Sequence, residues 1–281
     1  MNSIDFVKEK PSKSWWPSLL WTFIFAMAGA AIIDPIVNLV MGKTLYTEQI
    51  GGLFTFIGAI LLTVVYTVFF KKRSIRALGF KKEDFGKNYG LGLVIGLLLV
   101  CLVVGTATLF GGFSIELKQK IEWLWIGVAA LGFFIQGLAE EVIMRGYLFT
   151  EVASHKGRLW GLLVSSIAFT ALHAANPGMT VLPILNLFIF GLFFGLLFWL
   201  TDNIWIVGAG HSIWNFTLGP VLGILVSGQA FPASIFTTIP KEGMDLISGG
   251  NFGVEGSIFT SLFGLLGCLI IWRQIQKKEK K

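Results

Sequence analysis

Charge is scarce in this chain, and cysteine is scarcer still. Charged residues make up 14% of the 281 positions, and the two cysteines, Cys101 and Cys268, lie inside apolar runs with no Cys-x-x-Cys spacing. That pattern excludes a disulfide framework or a cysteine-based metal centre and leaves both thiols as small apolar side chains. The lack of charge, with 54% hydrophobic residues, 26 Phe and a mean hydropathy of +0.76, also excludes a water-soluble globule, whose surface would have to be implausibly apolar. Internal repeats, soluble domains and low-complexity linkers are missing as well.

What is present is a succession of apolar runs long enough to cross about 30 Å of hydrocarbon. They fall at 18–40, 50–70, 89–110, 123–147, 159–175, 181–200, 204–226 and 256–272. The expected fold is all-α: a polytopic membrane protein of about eight transmembrane helices around an internal polar cavity. Its parts are a short segment at 1–17, a membrane-embedded domain at 18–272 and a basic tail at 273–281. The first run is long, Trp15 and Trp16 mark an interfacial edge, and no Ala-x-Ala pattern follows, so it reads as a retained span rather than a cleaved leader.

The net charge of +6 follows the membrane boundaries. With the N-terminus inside, only Lys43, Lys118, Lys120 and Lys241 of the 22 basic residues fall outside. The positive-inside rule therefore places both termini of a multi-pass cell-membrane protein in the cytoplasm. Basic residues arranged this way face a lipid bilayer and form no nucleic-acid recognition element.

Against so little charge, Glu140, Glu141 and Arg145 stand out at the end of an apolar run. Ionisable groups at membrane depth cost several kcal/mol unless they face a bundle interior or a polar cavity. On a helix, Glu141 and Arg145 form an i, i+4 pair, while Glu140 points about 100° away from Glu141. Arg145 can thus orient Glu141 and leave Glu140 to a water-filled cavity, as a general base requires. A salt-bridge cluster that merely fixes the helix end is the plainer reading of the same residues. Phe169 and His173 share one helical face, and His211 and Asn215 share another. Each pair could equally serve interhelical hydrogen bonding. Three helices can converge on one polar site. His155, in a charged loop, reads as solvated. Asp34-Pro35 reads as a local kink or helix end.

These residues resemble the motifs of the CAAX protease and bacteriocin-processing family of intramembrane proteases. Glu140, Glu141 and Arg145 match Glu-Glu-x-x-x-Arg, Phe169 and His173 match Phe-x-x-x-His, and His211 and Asn215 match His-x-x-x-Asn, in the family's order. The resemblance implies an all-helical membrane core and hydrolysis of a peptide bond in a membrane-associated substrate, prenylated or otherwise. Glu140 would activate water, His173 would hold it, and His211 with Asn215 would stabilise the oxyanion, supported by Glu141, Arg145 and Phe169. Glu140, His173 and His211 could instead supply three ligands to a divalent metal such as zinc. The metal-free route is preferred, because it accounts for every polar group without a cation and no His-Glu-x-x-His motif is present. A non-enzymatic membrane scaffold or bacteriocin immunity protein is the alternative, and a transporter a third reading.

Depth raises a difficulty. His211 lies about 10 Å along its helix from the inner end, whereas His173 would lie roughly 21 Å from Leu159. The two meet if the fifth run begins in the headgroup layer and breaks within the protein at Asn176-Pro177-Gly178.

Overall fold

The structure, a computed structural model, describes residues 1–280. In chain order the helices are α1 (Ser3–Glu9), α2 (Trp16–Met41), α3 (Leu45–Phe54), α4 (Phe56–Val65), α5 (Phe85–Leu109), α6 (Trp123–Glu141), α7 (Thr150–Lys156), α8 (Arg158–Leu172), α9 (Val181–Thr201), α10 (Ile204–Phe216), α11 (Asp245–Ser248) and α12 (Ile258–Glu279). Among the described residues, six helical stretches are long and apolar enough to cross a membrane, making this a multi-pass membrane protein.

The other two expected spans are shorter. α8 has 15 residues and α10 has 13, the latter extended by a π turn at Thr217–Val221. α8 stops at Leu172, a few residues before Pro177. The Asn203 side chain, accepting from the Trp205 amide at 2.9 Å, sets the start of α10, and Gly219-Pro220 lie where its helical run ends. The fourth span is longer than its apolar run. A π-helical segment, Val142–Phe149, joins α6 to α7, so the helix carries Arg145 inside it and runs on to Lys156. Asp34-Pro35 does not end α2, which continues to Met41, and the Asp34 carboxylate accepts from Asn38 at 2.9 Å.

A two-stranded antiparallel sheet stands outside the all-α expectation: β1 (Phe113–Leu117) pairs with β2 (Phe236–Pro240). It ties together the two loops that carry Lys118, Lys120 and Lys241. The opposite end gathers both termini. There Ser3 hydrogen-bonds to Asp202, Lys81 pairs with Asp202 at 2.8 Å, and Lys278 donates to Leu200 O at 3.1 Å. Arg73 and Glu151 form an ion pair there with 1% of each side chain exposed.

Small residues set the helix spacing that matters for the site. A Cβ at Gly96 of α5 would stand 2.2 Å from the Gly210 carbonyl oxygen of α10, so α5 and α10 touch through their backbones. α10 also packs on α6, and its central residues are buried between these two helices. His211 is thereby held against the acidic end of α6.

Candidate functional site

Glu140 and Glu141 end α6 just before the π segment, and their side chains take different surroundings. Glu141 is fully buried. Its Oε1 accepts from Arg145 Nη1 at 2.9 Å and from His211 Nδ1 at 2.9 Å. Arg145, likewise 0% exposed, also donates through Nη2 to the Gly191 carbonyl of α9 at 3.0 Å. Its guanidinium lies over the Phe169 ring, 5.0 Å from the centroid, and 5.9 Å from that of Phe194. One buried ion pair thus holds α6, α9 and α10 in register.

Glu140 faces the cavity. Its Oε1 accepts from Gln136 Nε2 at 2.5 Å. Its Oε2 is buried with no hydrogen-bond partner among the described residues, 3.7 Å from His211 Nε2 and 4.0 Å from His173 Nε2. A buried carboxylate oxygen without a partner is costly, so its environment is complete only with a further donor in the gap. The cavity into which it points has a volume of about 350 Å³, with Glu140, Gln136, His173, His211 and Asn215 on its polar wall. Ala26, Met27 and Ala30 of α2 and Phe56 of α4 contribute to its apolar wall. Met27 is also 70% exposed on the outside of the bundle, so the cavity reaches the lipid-facing surface beside α2.

His173 reaches Glu140 because α8 is short and the chain turns immediately after it. Its Nδ1 lies 2.9 Å from Phe169 O, a carbonyl that can only accept, which places the proton on Nδ1 and leaves Nε2 an acceptor in the neutral ring. The turn at Asn176-Pro177-Gly178 is covered by the segment after α10, with Asn176 Nδ2 donating to Ser227 O at 2.9 Å. Gly228, at φ +80, fits there because a Cβ would stand 2.1 Å from the Pro177 carbonyl oxygen. Phe169 lies tilted against His173, their centroids 4.7 Å apart, and the ring of Phe194 lies nearly parallel to His211 at 5.2 Å.

Three residues outside the motifs complete the site. Gln136 accepts from Asn215 Nδ2 at 2.9 Å while donating to Glu140, linking the two motif side chains through one amide. Its signal was available, since it stands one helical turn before Glu140. Glu255, on the loop before α12, also lines the cavity. It accepts from Trp214 Nε1 at 3.1 Å and from Ser227 Oγ at 3.1 Å, and burial pushes its carboxyl above the usual carboxylate range. Phe194 comes from α9, where one Phe among several carries no distinguishing pattern.

The metal alternative fits less well. Two ligands about 2.1 Å from one tetrahedral ion lie about 3.4 Å apart. The observed separations are 3.7 and 4.0 Å, and among the described residues no group of three His, Cys, Asp or Glu is placed to hold a metal ion. Both imidazole nitrogens thus stand slightly further from Glu140 Oε2 than two ligands of one tetrahedral ion would. The cysteines stay apart from the site. Cys101 is exposed, Cys268 is buried, and both are free. His155 is exposed, as expected, but it lies in the last turn of α7 rather than in a loop, and its ring also contacts the Ser12 and Glu151 carbonyls at 3.0 Å.

Residues 120–217 match the family model described as Rce1-like, type II CAAX prenyl endopeptidase Rce1-like. That stretch contains all three motifs, including both histidines that face Glu140 Oε2. No curated protein matches the chain.

Proposed function

From the premise that residues 120–217 place this chain in the CAAX protease and bacteriocin-processing family, we propose that it is an intramembrane endopeptidase in which Glu140 activates water. The observation that carries the reading is Glu140 Oε2, partnerless among the described residues and set between two imidazole nitrogens. A water in that gap would donate one hydrogen to Glu140 Oε2 and the other to His173 Nε2, leaving an oxygen lone pair free for the substrate carbonyl. Because Gln136 occupies Oε1, Oε2 is the basic oxygen.

On attack, Glu140 would take the water proton while the hydroxyl adds to the carbonyl carbon. The carbonyl oxygen then carries the negative charge. His211 already gives its Nδ1 hydrogen to Glu141, so donation from Nε2 requires the imidazolium, which the Glu141 carboxylate stabilises. Asn215 has one amide hydrogen on Gln136 and a second for the same oxyanion. Collapse of the tetrahedral intermediate would return the proton from Glu140 to the leaving amine, so water is consumed and one peptide bond is broken. The apolar wall beside α2 suits a substrate with a lipid-like or apolar segment, such as a prenylated peptide.

The test is cleavage of a farnesylated peptide ending in a Cys-aliphatic-aliphatic-X sequence, alongside membrane proteomics of cells carrying the active chain or Glu140→Gln. Glu140→Gln and His173→Ala are expected to lower turnover about 100-fold to 10,000-fold, the range of a lost general base, with the fold retained. Undiminished cleavage in both variants would refute the mechanism. Membrane proteomes unchanged between the active and Glu140→Gln cells, with no peptide cleaved, would favour a scaffold or immunity role.

A further inference from the structure

The end of the bundle that carries both termini holds a second cavity, of about 370 Å³, between the N-terminal segment and the first turns of α2. Its walls are chemically divided. Lys13, Lys71, Ser12 and Ser14 supply charge and hydroxyls, while Trp16 and Trp21 supply indole rings. Lys71 Nζ donates to Ser12 Oγ at 2.9 Å and sits 5.4 Å from the Tyr66 ring centroid. Neither Lys13 nor Lys71 has an ion-pair partner among the described residues, because the nearby carboxylate of Glu151 is already taken by Arg73 and Ser12. Burial, with the Arg73 guanidinium nearby, lowers the proton affinity of Lys71 more than the Glu151 carboxylate raises it, the mark of an ammonium partly withdrawn from water.

Along the membrane from this cavity, α2 leaves Leu20, Met27, Ile32 and Ile36 exposed along its length. Indole rings at the junction of a charged pocket and an apolar helix mark headgroup level. A ligand that fits carries negative charge at one end and long hydrocarbon at the other. A zwitterionic headgroup would set its own ammonium against two lysines, whereas a net-anionic one meets them unopposed.

We propose that this cavity binds the phosphate headgroup of an anionic phospholipid whose acyl chains lie along α2. The same helix supplies Ala26, Met27 and Ala30 to the wall of the Glu140 cavity, so lipid bound at its first turn would steady that wall. The binding does not depend on the proteolytic reading, and it is measured without turnover.

The experiment is native mass spectrometry of the purified full chain in neutral detergent, titrated with phosphatidylglycerol or phosphatidylcholine. One phosphatidylglycerol per chain is expected to be retained in preference to phosphatidylcholine. Each lysine beside an anionic headgroup contributes roughly fivefold, so Lys13→Ala/Lys71→Ala is expected to bind about 25-fold more weakly. The Arg versions of both residues, and Lys118→Ala/Lys120→Ala at the opposite end, are expected to bind like the parent. Should the double Ala variant not fold, Lys71→Gln, which keeps a donor to Ser12, gives the same readout with a loss of roughly fivefold. Equal retention of the two lipids, or parental affinity in the Lys13/Lys71 variant, would overturn the proposal. So would displacement by glycerol phosphate, which would show a free phosphate to be the ligand.

Discussion

His211 donates from Nδ1 to the same Glu141 oxygen that receives Arg145, at 2.9 Å in each case. The orientation of the imidazole that faces the cavity is therefore decided by an ion pair outside the cavity. Breaking the pair from one side leaves a buried charge. Glu141→Ala is expected to destabilise the protein by about 3–5 kcal/mol, read as a lower unfolding temperature, together with loss of cleavage. Glu141→Leu/Arg145→Met removes both charges and is expected to recover most of the stability while remaining inactive. Recovery of cleavage by the double variant would show that the pair serves packing alone.

Gln136 joins Glu140 to Asn215, and its role is one of positioning. Gln136→Leu frees both to rotate. It is expected to lower kcat about tenfold or more, as a lost oxyanion-site contact does, with KM little changed. Gln136→Glu sets a second carboxylate against Glu140 and is expected to shift the acidic limb of the pH–rate profile upward, since like charges raise proton affinity. An unchanged profile and kcat in both variants would exclude the positioning role.

The Glu255 carboxyl is held above its ordinary value by burial. A group raised in the folded state favours folding fully below its unfolded value, and that contribution is lost as pH rises through the folded value. Stability is therefore expected to fall as pH rises above the ordinary carboxylate value, about 4.5, and to level off once the raised folded value is passed. Glu255→Gln is expected to flatten that fall, measured by unfolding temperature across the range. A slope identical to the parent's would assign the dependence to other groups.

The two ends of the bundle make opposite predictions for chemical access. A single cysteine in place of Ser74 or Lys278, in a chain with Cys101 and Cys268 replaced, is expected to resist an impermeant thiol reagent added to intact cells. One in place of Lys241, beside the β1–β2 sheet, is expected to react. Labelling of Ser74→Cys from outside would reverse the orientation.

Periodicity and composition in the sequence determined the helical membrane class, the acid–base pair Glu141 and Arg145, and the one-turn spacing of each remaining motif. These are relations within a helix, where 3.6 residues per turn makes neighbours of residues four apart. Gln136 obeys the same rule with Glu140 and was legible on that ground. Only the tertiary structure decided that Glu140 presents Oε2 rather than Oε1, that His173 carries its proton on Nδ1, and that Glu255 folds back from a loop onto Trp214. It also shortened α8 and α10 and carried α6 through a π segment. The physical reason is that distances between helices depend on how closely backbones approach. That approach rests on contacts such as Gly96 against Gly210, whose partners lie far apart in the chain and share no local pattern.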